Sequence, residues 1–207
     1  MQEKKKFDLI IASGNLGKIK EFKDLLRELP LEVIPQPSEI EIEEIGESFA
    51  ENARIKALTV SNFSDEWTLA DDSGLSVEAL DGAPGIHSAR YADNDVERIK
   101  KLLKNLGPYK NRNARFTAAL CLAFQGKVLL EVEGNCQGLI TKYPRGKEGF
   151  GYDPIFEVIN LGLTFAEMGS KKKKLCGHRG IAFKLLMPQL KKLVDIRENL
   201  VRGPMAM

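Results

Sequence analysis

The sequence predicts an α/β fold in which a mixed β-sheet is flanked by helices. Apolar runs of strand length alternate with amphipathic helical repeats in the first half of the chain, and consecutive strand signals joined by a tight turn follow in the second half. Hydrophobic residues make up 43% of the 207 residues, which is enough for a large core. The length fits one large domain or two closely merged lobes.

The composition excludes several classes of protein. Lys and Arg total 31 against 29 Asp and Glu, so the net charge of +2 argues against a protein that coats nucleic acid or an anionic membrane. Cys121, Cys136 and Cys176 lack the spacing of a metal site or a disulfide framework, so we expect free thiols in the cytoplasm. The basic segment 1–6 precedes too short an apolar run for a signal peptide, and no stretch is long enough to cross a membrane.

The first half of the chain predicts strands that alternate with amphipathic helices. Ser48 with Glu51 three residues later predicts a capping box at the start of the second helix. The predicted strands are 7–12, 31–35, 67–70 and 75–80, the predicted helices are 15–29 (ended by Pro30), 48–63 and one through 96–106, and 36–47 is a predicted loop.

The second half predicts a β-hairpin followed by loops and a C-terminal helix. Residues 114–124 and 127–133 flank a Gln-Gly turn, and a third strand is expected near 136–141. A helical stretch covers about 180–200, where Pro188 is expected to kink or split it.

A glycine-containing turn links the first strand to the first helix. It consists of Ser13, Gly14, Asn15, Leu16, Gly17 and Lys18. Glycines allow close backbone approach to a phosphate, and the helix N-terminus and the lysine favour an anion. The spacing matches neither a Walker A loop nor a dinucleotide fingerprint. The alternative is a simple strand-to-helix turn with a surface lysine.

Carboxylates occur in two places that suit a hard cation such as Mg²⁺. Asp71-Asp72-Ser73-Gly74 follows an apolar strand, and because side chains alternate on extended backbone, one aspartate is expected to face the site while the other supports a turn. An acidic loop over 41–47 precedes the second helix, although such clusters are usually solvated surface. On that helix Asn52 and Lys56 share a face, where the lysine is either a phosphate ligand or a core-edge residue.

The C-terminal loops contain groups suited to a planar base. Phe150, Gly151, Tyr152 and Asp153 combine aromatic rings with glycine, a mixture that suits base stacking but also occurs in core turns. The lysine run 171–174 is ordinarily a solvated stretch, whereas His178 and Arg179 offer donors to a base or a phosphate.

Together these segments resemble the inosine triphosphate/xanthosine triphosphate pyrophosphatase family. The match runs in order over nearly the whole chain and comprises SGNLGK (13–18), ESFAENARIKA (47–57), LADDSGLSVEALDGAPGIHSARYA (69–92), GFGYDPIF (149–156), TFAEM (164–168) and HRG (178–180). The resemblance implies one elongated, two-lobed domain over residues 1–207 with a central nucleotide cleft, and a homodimer.

The resemblance also implies roles for individual residues. Ser13 to Lys18 would bind the triphosphate, Glu44 and Asp72 would hold Mg²⁺, and Asp72 would activate the attacking water. Ser73 would contact substrate, and Lys56 is a further phosphate or catalytic candidate. The base pocket would be formed by Phe150 to Asp153, with Lys173, His178 and Arg179 completing nucleotide binding.

The chain departs from the family pattern at two places. Gly177 stands where the family usually has serine, and Lys171 and Lys172 stand where it tends to have acidic residues. The choice of Lys173 over Lys172 or Lys174 therefore stays open, as does Glu44 against Glu43.

The implied reaction is attack of water on the α-phosphorus of ITP, dITP or XTP, which releases pyrophosphate. Lys18, Lys56 and Lys173 would stabilise the charge on the leaving group. The alternatives are a related Maf-like pyrophosphatase for other modified nucleotides and a non-catalytic nucleotide-binding regulator.

Overall fold

The central feature of the fold is one mixed sheet of six strands. The computed structural model describes residues 6–202, so the start of the predicted basic segment, 1–5, lies outside the described residues. The strands are β1 (Phe7–Ala12), β2 (Leu31–Pro35), β3 (Trp67–Val77), β4 (Asn113–Phe124), β5 (Lys127–Ile140) and β6 (Phe156–Val158). Their order is β2-β1-β3-β4-β5-β6; β1 is parallel to β2 and β3, and the later pairs are antiparallel. The predicted α/β class with a mixed sheet is confirmed.

Helices cover both faces of this sheet. The described α-helices are α1 (Leu16–Leu26), α2 (Phe49–Ser61), α3 (Asp95–Leu106), α4 (Ser170–Cys176) and α5 (His178–Arg202). Along β1, Leu9 and Ile11 pack with buried residues of α1 and α5, whereas Ile10 packs with the alanine-rich face of α2. Burial on both faces of the sheet explains the apolar run from Leu9 to Ala12 in β1.

A further apolar cluster lies under the C-terminal part of β3. Phe116 of β4, Phe156 of β6 and Phe165 pack together there, with ring centroids 4.7 to 5.7 Å apart. Leu102 and Leu106 of α3 close this cluster, since both are fully buried. The rigid packing supports the loops that carry the candidate base-binding residues.

Two strand predictions were wrong in the same way. The predicted strands 67–70 and 75–80 flank what was expected to be a turn, but β3 runs straight through Asp71 to Gly74 and pairs with β4 along that whole stretch. The segment after Val77 is a short 3₁₀ helix, Glu78–Leu80. Likewise β5 is one strand where two were predicted, because β4 pairs with it along its length.

The helix predictions need three corrections. Helix α1 ends at Leu26 rather than at residue 29, and α5 begins at His178 and continues through Pro188 without splitting. The buried residues Phe183 and Leu190 lie on both sides of the proline, so core packing holds the helix together despite one missing hydrogen bond. The lysine run lies in α4 rather than in a loop.

The start of α2 carries half of the predicted capping box. Ser48 Oγ accepts a hydrogen bond from Glu51 N, but the Glu51 carboxylate accepts from the N–H of Glu47 rather than of Ser48. The Glu51 side chain therefore ties the preceding loop to the helix.

The close approach of α5 to β5 depends on a glycine. A Cβ on Gly134 would lie 2.3 Å from the backbone N of Ala182 and 2.4 Å from the carbonyl oxygen of His178. No side chain fits there unless the helix that carries His178 and Arg179 moves away from the sheet.

We therefore expect Gly134→Ala to lower the free energy of unfolding by roughly 1–3 kcal/mol, the usual cost of overpacking. The matched control is Gly169→Ala, where an added Cβ meets nothing within 4 Å. Urea unfolding measures both variants, and equal stability of the two would show that α5 does not lie this close to β5.

No helix within residues 6–202 combines the length and apolarity that a membrane span requires. The thiols of Cys121, Cys136 and Cys176 are free. The two-lobed shape remains a prediction.

Candidate active site

The glycine-containing turn forms the N-terminus of α1, directly after β1. Asn15 is the N-cap: its Oδ1 accepts a hydrogen bond from Lys18 N at 3.1 Å, and Ser13 Oγ accepts one from Asn15 N at 3.1 Å. The other first-turn N–H groups of α1 have no partner within the helix, as at every helix start. The positive end of the α1 dipole lies at this turn, and the turn is therefore suited to bind an anion.

Two carboxylates meet around the ammonium group of Lys56 on α2. Lys56 Nζ lies 2.9 Å from Glu44 Oε1 and 2.7 Å from Asp72 Oδ1, and its side chain is only 8% exposed. Burial lowers the pKa of Lys56, but the two carboxylates outweigh this effect and the net shift is upward, so the lysine stays charged. Glu43 is exposed, whereas Glu44 faces this group, so the geometry favours Glu44 of the two.

Asp72 keeps one free oxygen in this group. Among residues 6–202 its buried Oδ2 has no hydrogen-bond partner. Burial raises the pKa of Asp72, and the Lys56 ammonium opposes that shift. A buried acceptor without a partner costs about 1–3 kcal/mol, a cost that a bound water or cation would remove.

Asp71 lies on the opposite side of β3 from Asp72 and forms a second charged group. Its Oδ2 is 2.6 Å from Lys18 Nζ, and its Oδ1 is 3.3 Å from Arg179 Nε. Arg179 Nη2 also donates to Ser73 Oγ at 2.7 Å. Burial raises the pKa of Asp71, but Arg179 and Lys18 outweigh burial and hold the pKa well below its usual range, so Asp71 is ionised.

The loop that contains Phe150 closes the other side of the site. The Phe150 ring lies against Gly17, where a Cβ would come within 3.1 Å of two ring carbons. Asp153 Oδ2 accepts hydrogen bonds from Phe150 N at 3.0 Å and from Lys173 Nζ at 2.7 Å. Tyr152 is buried and its hydroxyl donates to the carbonyl oxygen of Ser88, so it anchors the loop.

His178 and Arg179 start α5 beside this loop. The His178 ring stacks on Phe116 at 4.7 Å between centroids, and its buried Nδ1 has no hydrogen-bond partner among the described residues. Burial lowers the pKa of His178 well below its usual value, so the imidazole is neutral. A neutral ring has one donor and one acceptor nitrogen, and Nδ1 is therefore free for either role toward a ligand.

Two cavities with shared walls occupy the space between these groups. The carboxylate chamber, of about 490 Å³, is lined by Lys18, Glu44, Asp72 and Ser73 among others. The α4 chamber, of about 450 Å³, is lined by Glu21, Lys173 and Gly177 among others. Their shared lining residues are Gly17, Phe150, His178 and Arg179. Their sizes fall within the range of small-molecule sites, and we call the two chambers together the cleft.

The structure brings nearly all of the predicted site residues to these chambers. Asn15 to Lys18, Glu44, Asp72, Ser73, Phe150 to Asp153, Lys173, His178 and Arg179 line one or both. Ser13, Gly14 and Lys56 line neither chamber: Ser13 Oγ accepts from Asn15 N, and Lys56 lies behind Glu44 and Asp72. Lys174 pairs with Asp24, whereas Lys173 reaches Asp153, so the geometry favours Lys173 in the lysine run.

Sequence reasoning missed three charged residues of the site. Asp71 was expected only to support a turn. Glu21 bridges Lys173 Nζ (3.1 Å) and Arg179 Nη1 (2.9 Å). Arg90 Nη1 lies 2.7 Å from Glu44 Oε2. Helical spacing offered a signal for Glu21, which is three residues after Lys18 on α1. Arg90 lies within the 69–92 motif, but nothing in its spacing pointed to Glu44.

The oxygen atoms around Lys56 suit a hard divalent cation. The free Asp72 Oδ2 and the partly exposed Glu44 carboxylate are the donors that Mg²⁺ takes alongside waters and substrate phosphates. Within residues 6–202 no group of three or more His, Cys, Asp or Glu side chains could hold a metal by itself. Two carboxylates leave the other positions around such a cation to waters and substrate phosphates.

Comparison with known proteins identifies the family. The Ham1 family model matches residues 9–189. A relative from Prochlorococcus marinus (strain NATL1A) is 61% identical over 90% of this chain and 95% of its own length, and one from Synechococcus sp. (strain CC9311) is 60% identical over 90% of this chain and 91% of its own; both are described as dITP/XTP pyrophosphatase.

Solved structures agree with the sequence comparison. A HAM1 protein from Coxiella burnetii has a TM-score of 0.83 at 40% identity, with 90% of this chain and 99% of that chain covered. The Ham1 protein of Staphylococcus aureus has a TM-score of 0.80 at 37% identity, with 89% and 98% covered. With a family model over most of its length and relatives of this identity, the chain belongs to the Ham1 family.

Proposed function

We propose that this protein hydrolyses non-standard purine nucleoside triphosphates, namely ITP, dITP and XTP, to the monophosphate and pyrophosphate. The observation that carries the proposal is the carboxylate chamber, in which the α1 N-terminus and Lys18 lie together with Glu44 and Asp72. The Prochlorococcus and Synechococcus relatives are described as dITP/XTP pyrophosphatase, which supports this activity on dITP and XTP. Its role in the cell is to remove deaminated purines from the nucleotide pool.

The triphosphate is assigned to the carboxylate chamber. Lys18 and the first-turn N–H groups of α1 bind phosphate oxygens, and Ser73 adds a hydroxyl beside them. Mg²⁺, held by Glu44 and Asp72, would supply positive charge that neutralises phosphate oxygens and makes the attacking water more acidic. Asp72 Oδ2 accepts the proton of the attacking water at a second lone pair, because an ionised carboxylate oxygen has two acceptor positions and no hydrogen bond from the described residues occupies either of them.

Lys18 offsets the charge of the phosphates that leave as pyrophosphate, both in the bound substrate and as they depart. Lys56 lines neither chamber, and it acts on the reaction by holding Glu44 and Asp72 in place. Lys173 does not contact the leaving pyrophosphate in this proposal, because it lines only the α4 chamber and pairs with Asp153. The reaction needs no covalent intermediate, since water attacks the α-phosphorus in line with the leaving pyrophosphate.

The base is assigned to the α4 chamber, where it stacks on Phe150. Lys173, Arg179 and neutral His178 offer donors to O6 of hypoxanthine or xanthine. Adenine presents an amino group at that position, and opposed donors leave buried polar groups unpaired, which discriminates by about 10⁴-fold or more.

Direct detection of pyrophosphate tests the proposed function. The protein is incubated with Mg²⁺ and, in turn, ITP, dITP, XTP, ATP, GTP and dUTP, and orthophosphate is measured with and without added inorganic pyrophosphatase. We expect pyrophosphate from ITP, dITP and XTP, with orthophosphate only after pyrophosphatase is added. Preference for dUTP would indicate the Maf-like alternative, and absence of any product would leave a nucleotide-binding regulator.

Removal of the Lys18 charge should mainly weaken substrate binding. For Lys18→Ala we expect the KM for ITP to rise roughly tenfold or more while kcat changes less, because the lysine binds phosphate in both the ground and the transition state. Steady-state kinetics measure this split, and Lys23→Ala, an exposed lysine on the same helix, is the control. An unchanged KM would remove the glycine-containing turn from the phosphate site.

We further propose that the chain acts as one domain, as a homodimer and in the cytoplasm. The family resemblance supports the homodimer, and free thiols support a reducing compartment. Sedimentation equilibrium of the purified protein tests the dimer.

A further inference from the structure

Asp71 is fully buried and yet lies in contact with three residues assigned to substrate. Its carboxylate meets Lys18 Nζ at 2.6 Å and Arg179 Nε at 3.3 Å, and accepts a hydrogen bond from Ser73 Oγ at 3.1 Å. These three partners come from α1, α5 and β3 itself, so Asp71 joins three separate parts of the fold.

Asp71 itself does not border the cleft. Lys18, Ser73 and Arg179 all line the carboxylate chamber, whereas Asp71 lines neither chamber and has no exposed surface. A carboxylate facing the triphosphate would repel it, and the strand geometry avoids this by placing Asp71 behind its cations. Any effect of Asp71 on substrate must therefore pass through the side chains that it holds.

The two cations differ in how much they depend on Asp71. Arg179 has a second carboxylate partner, Glu21, at 2.9 Å. Among residues 6–202, Asp71 is the only carboxylate within 4.0 Å of Lys18 Nζ, and its backbone oxygen accepts from the same ammonium at 3.4 Å. Loss of the Asp71 charge would leave Lys18 beside Arg179 with no anion between them, and like charges repel strongly in a buried place.

We propose that Asp71 is a positioning residue, which holds the Lys18 ammonium at the edge of the carboxylate chamber so that it meets the phosphate chain of the substrate. The proposal rests on the proposed function and names a residue that acts behind the phosphate site. A stabilising ion pair without this role is the alternative, and buried ion pairs often contribute little to stability.

A double-mutant cycle separates these two roles. The variants are Asp71→Asn, Lys18→Met and the double variant, and the probe is inorganic tripolyphosphate in EDTA, measured by titration calorimetry. Without a metal the probe reports on the cations and backbone N–H groups alone, and no turnover is needed. The control is Ser61→Ala on α2, which removes a buried hydroxyl that bonds Leu58 O and Gly126 N away from the cleft.

We expect Asp71→Asn to weaken tripolyphosphate binding roughly tenfold or more, about as much as Lys18→Met, and we expect Ser61→Ala to bind like the unmodified protein. The double variant should bind within about twofold of Lys18→Met, because once the ammonium is gone Asp71 has nothing left to position. If Asp71→Asn fails to fold, Asp71→Glu takes its place in both comparisons, because it keeps the charge and moves the carboxylate relative to Lys18.

Two results would overturn the role of Asp71. One is tripolyphosphate binding by Asp71→Asn within twofold of the unmodified protein, and the other is a double variant whose loss is the product of the two single losses. Failure of the proposed function looks different, since the unmodified protein would then release no pyrophosphate from ITP.

Discussion

Asp72→Asn is expected to lower kcat for ITP by roughly a hundredfold or more while ITP still binds. The asparagine side chain has one oxygen, which can still accept from Lys56, and an amide nitrogen in place of the free Oδ2. In either orientation of the amide, residue 72 no longer has a carboxylate to take the proton. General-base catalysis contributes about 10²–10⁴-fold, which sets the expected size. Pyrophosphate release measures kcat, and titration calorimetry in EDTA measures ITP binding.

The binding half of this prediction follows from the position of Asp72 in β3. The strand pairs with β4 on either side of it, Asp71 with Leu120 and Ser73 with Ala118, so the backbone stays in place. Asp8→Asn, an exposed aspartate on β1, is the control for a loss of one negative charge. A kcat for Asp72→Asn near that of the control would remove Asp72 from the mechanism.

Lys56→Met is expected to have a comparable effect on kcat for a different reason. Lys56 lies between Glu44 and Asp72 and fixes the carboxylate that takes the proton of the attacking water. General-base catalysis contributes about 10²–10⁴-fold, so displacement of Asp72 sets the expected loss of kcat. The variant also leaves no cation between Glu44 and Asp72, although Arg90 still pairs with Glu44, so we expect Mg²⁺ to bind the substrate-free protein more tightly.

The two readouts together make the Lys56 prediction specific. Calorimetric titration with Mg²⁺ should show tighter binding than in the unmodified protein, while pyrophosphate release falls. Arg54→Met is the control, because Arg54 lies on the same helix but forms an exposed ion pair with Glu131. If Lys56→Met retained kcat within threefold of this control, Lys56 would have a structural role only.

The fold was largely readable from local patterns. The strands 7–12 and 31–35 and the amphipathic repeat of α3 were predicted close to their observed limits, because local hydrophobic periodicity and glycine or proline breaks set these elements. The wrong strand predictions divided β3 and β5, each of which is one continuous strand. Asp71 to Gly74 and the middle of β5 have polar and glycine residues typical of turns, and only pairing with β4 keeps them extended.

The identity of the site residues was also predictable, because six motifs in order define the family. Their grouping was not. Lys173 and Lys56 were both predicted to stabilise phosphate charge, but Lys173 lines the α4 chamber and Lys56 lies behind Glu44 and Asp72. Asp71 and Asp72 pair with different cations on opposite faces of one strand.

By itself the sequence determined the mixed α/β class, the family and the chemical types of side chain in the cleft, since these depend on local pattern and on residues in order. Only the tertiary structure decided which charges meet, because Lys18 and Asp71 are 53 positions apart and Glu21 and Arg179 are 158 apart. Contacts over such distances depend on how the helices pack on the sheet. No spacing within a single motif encodes that packing.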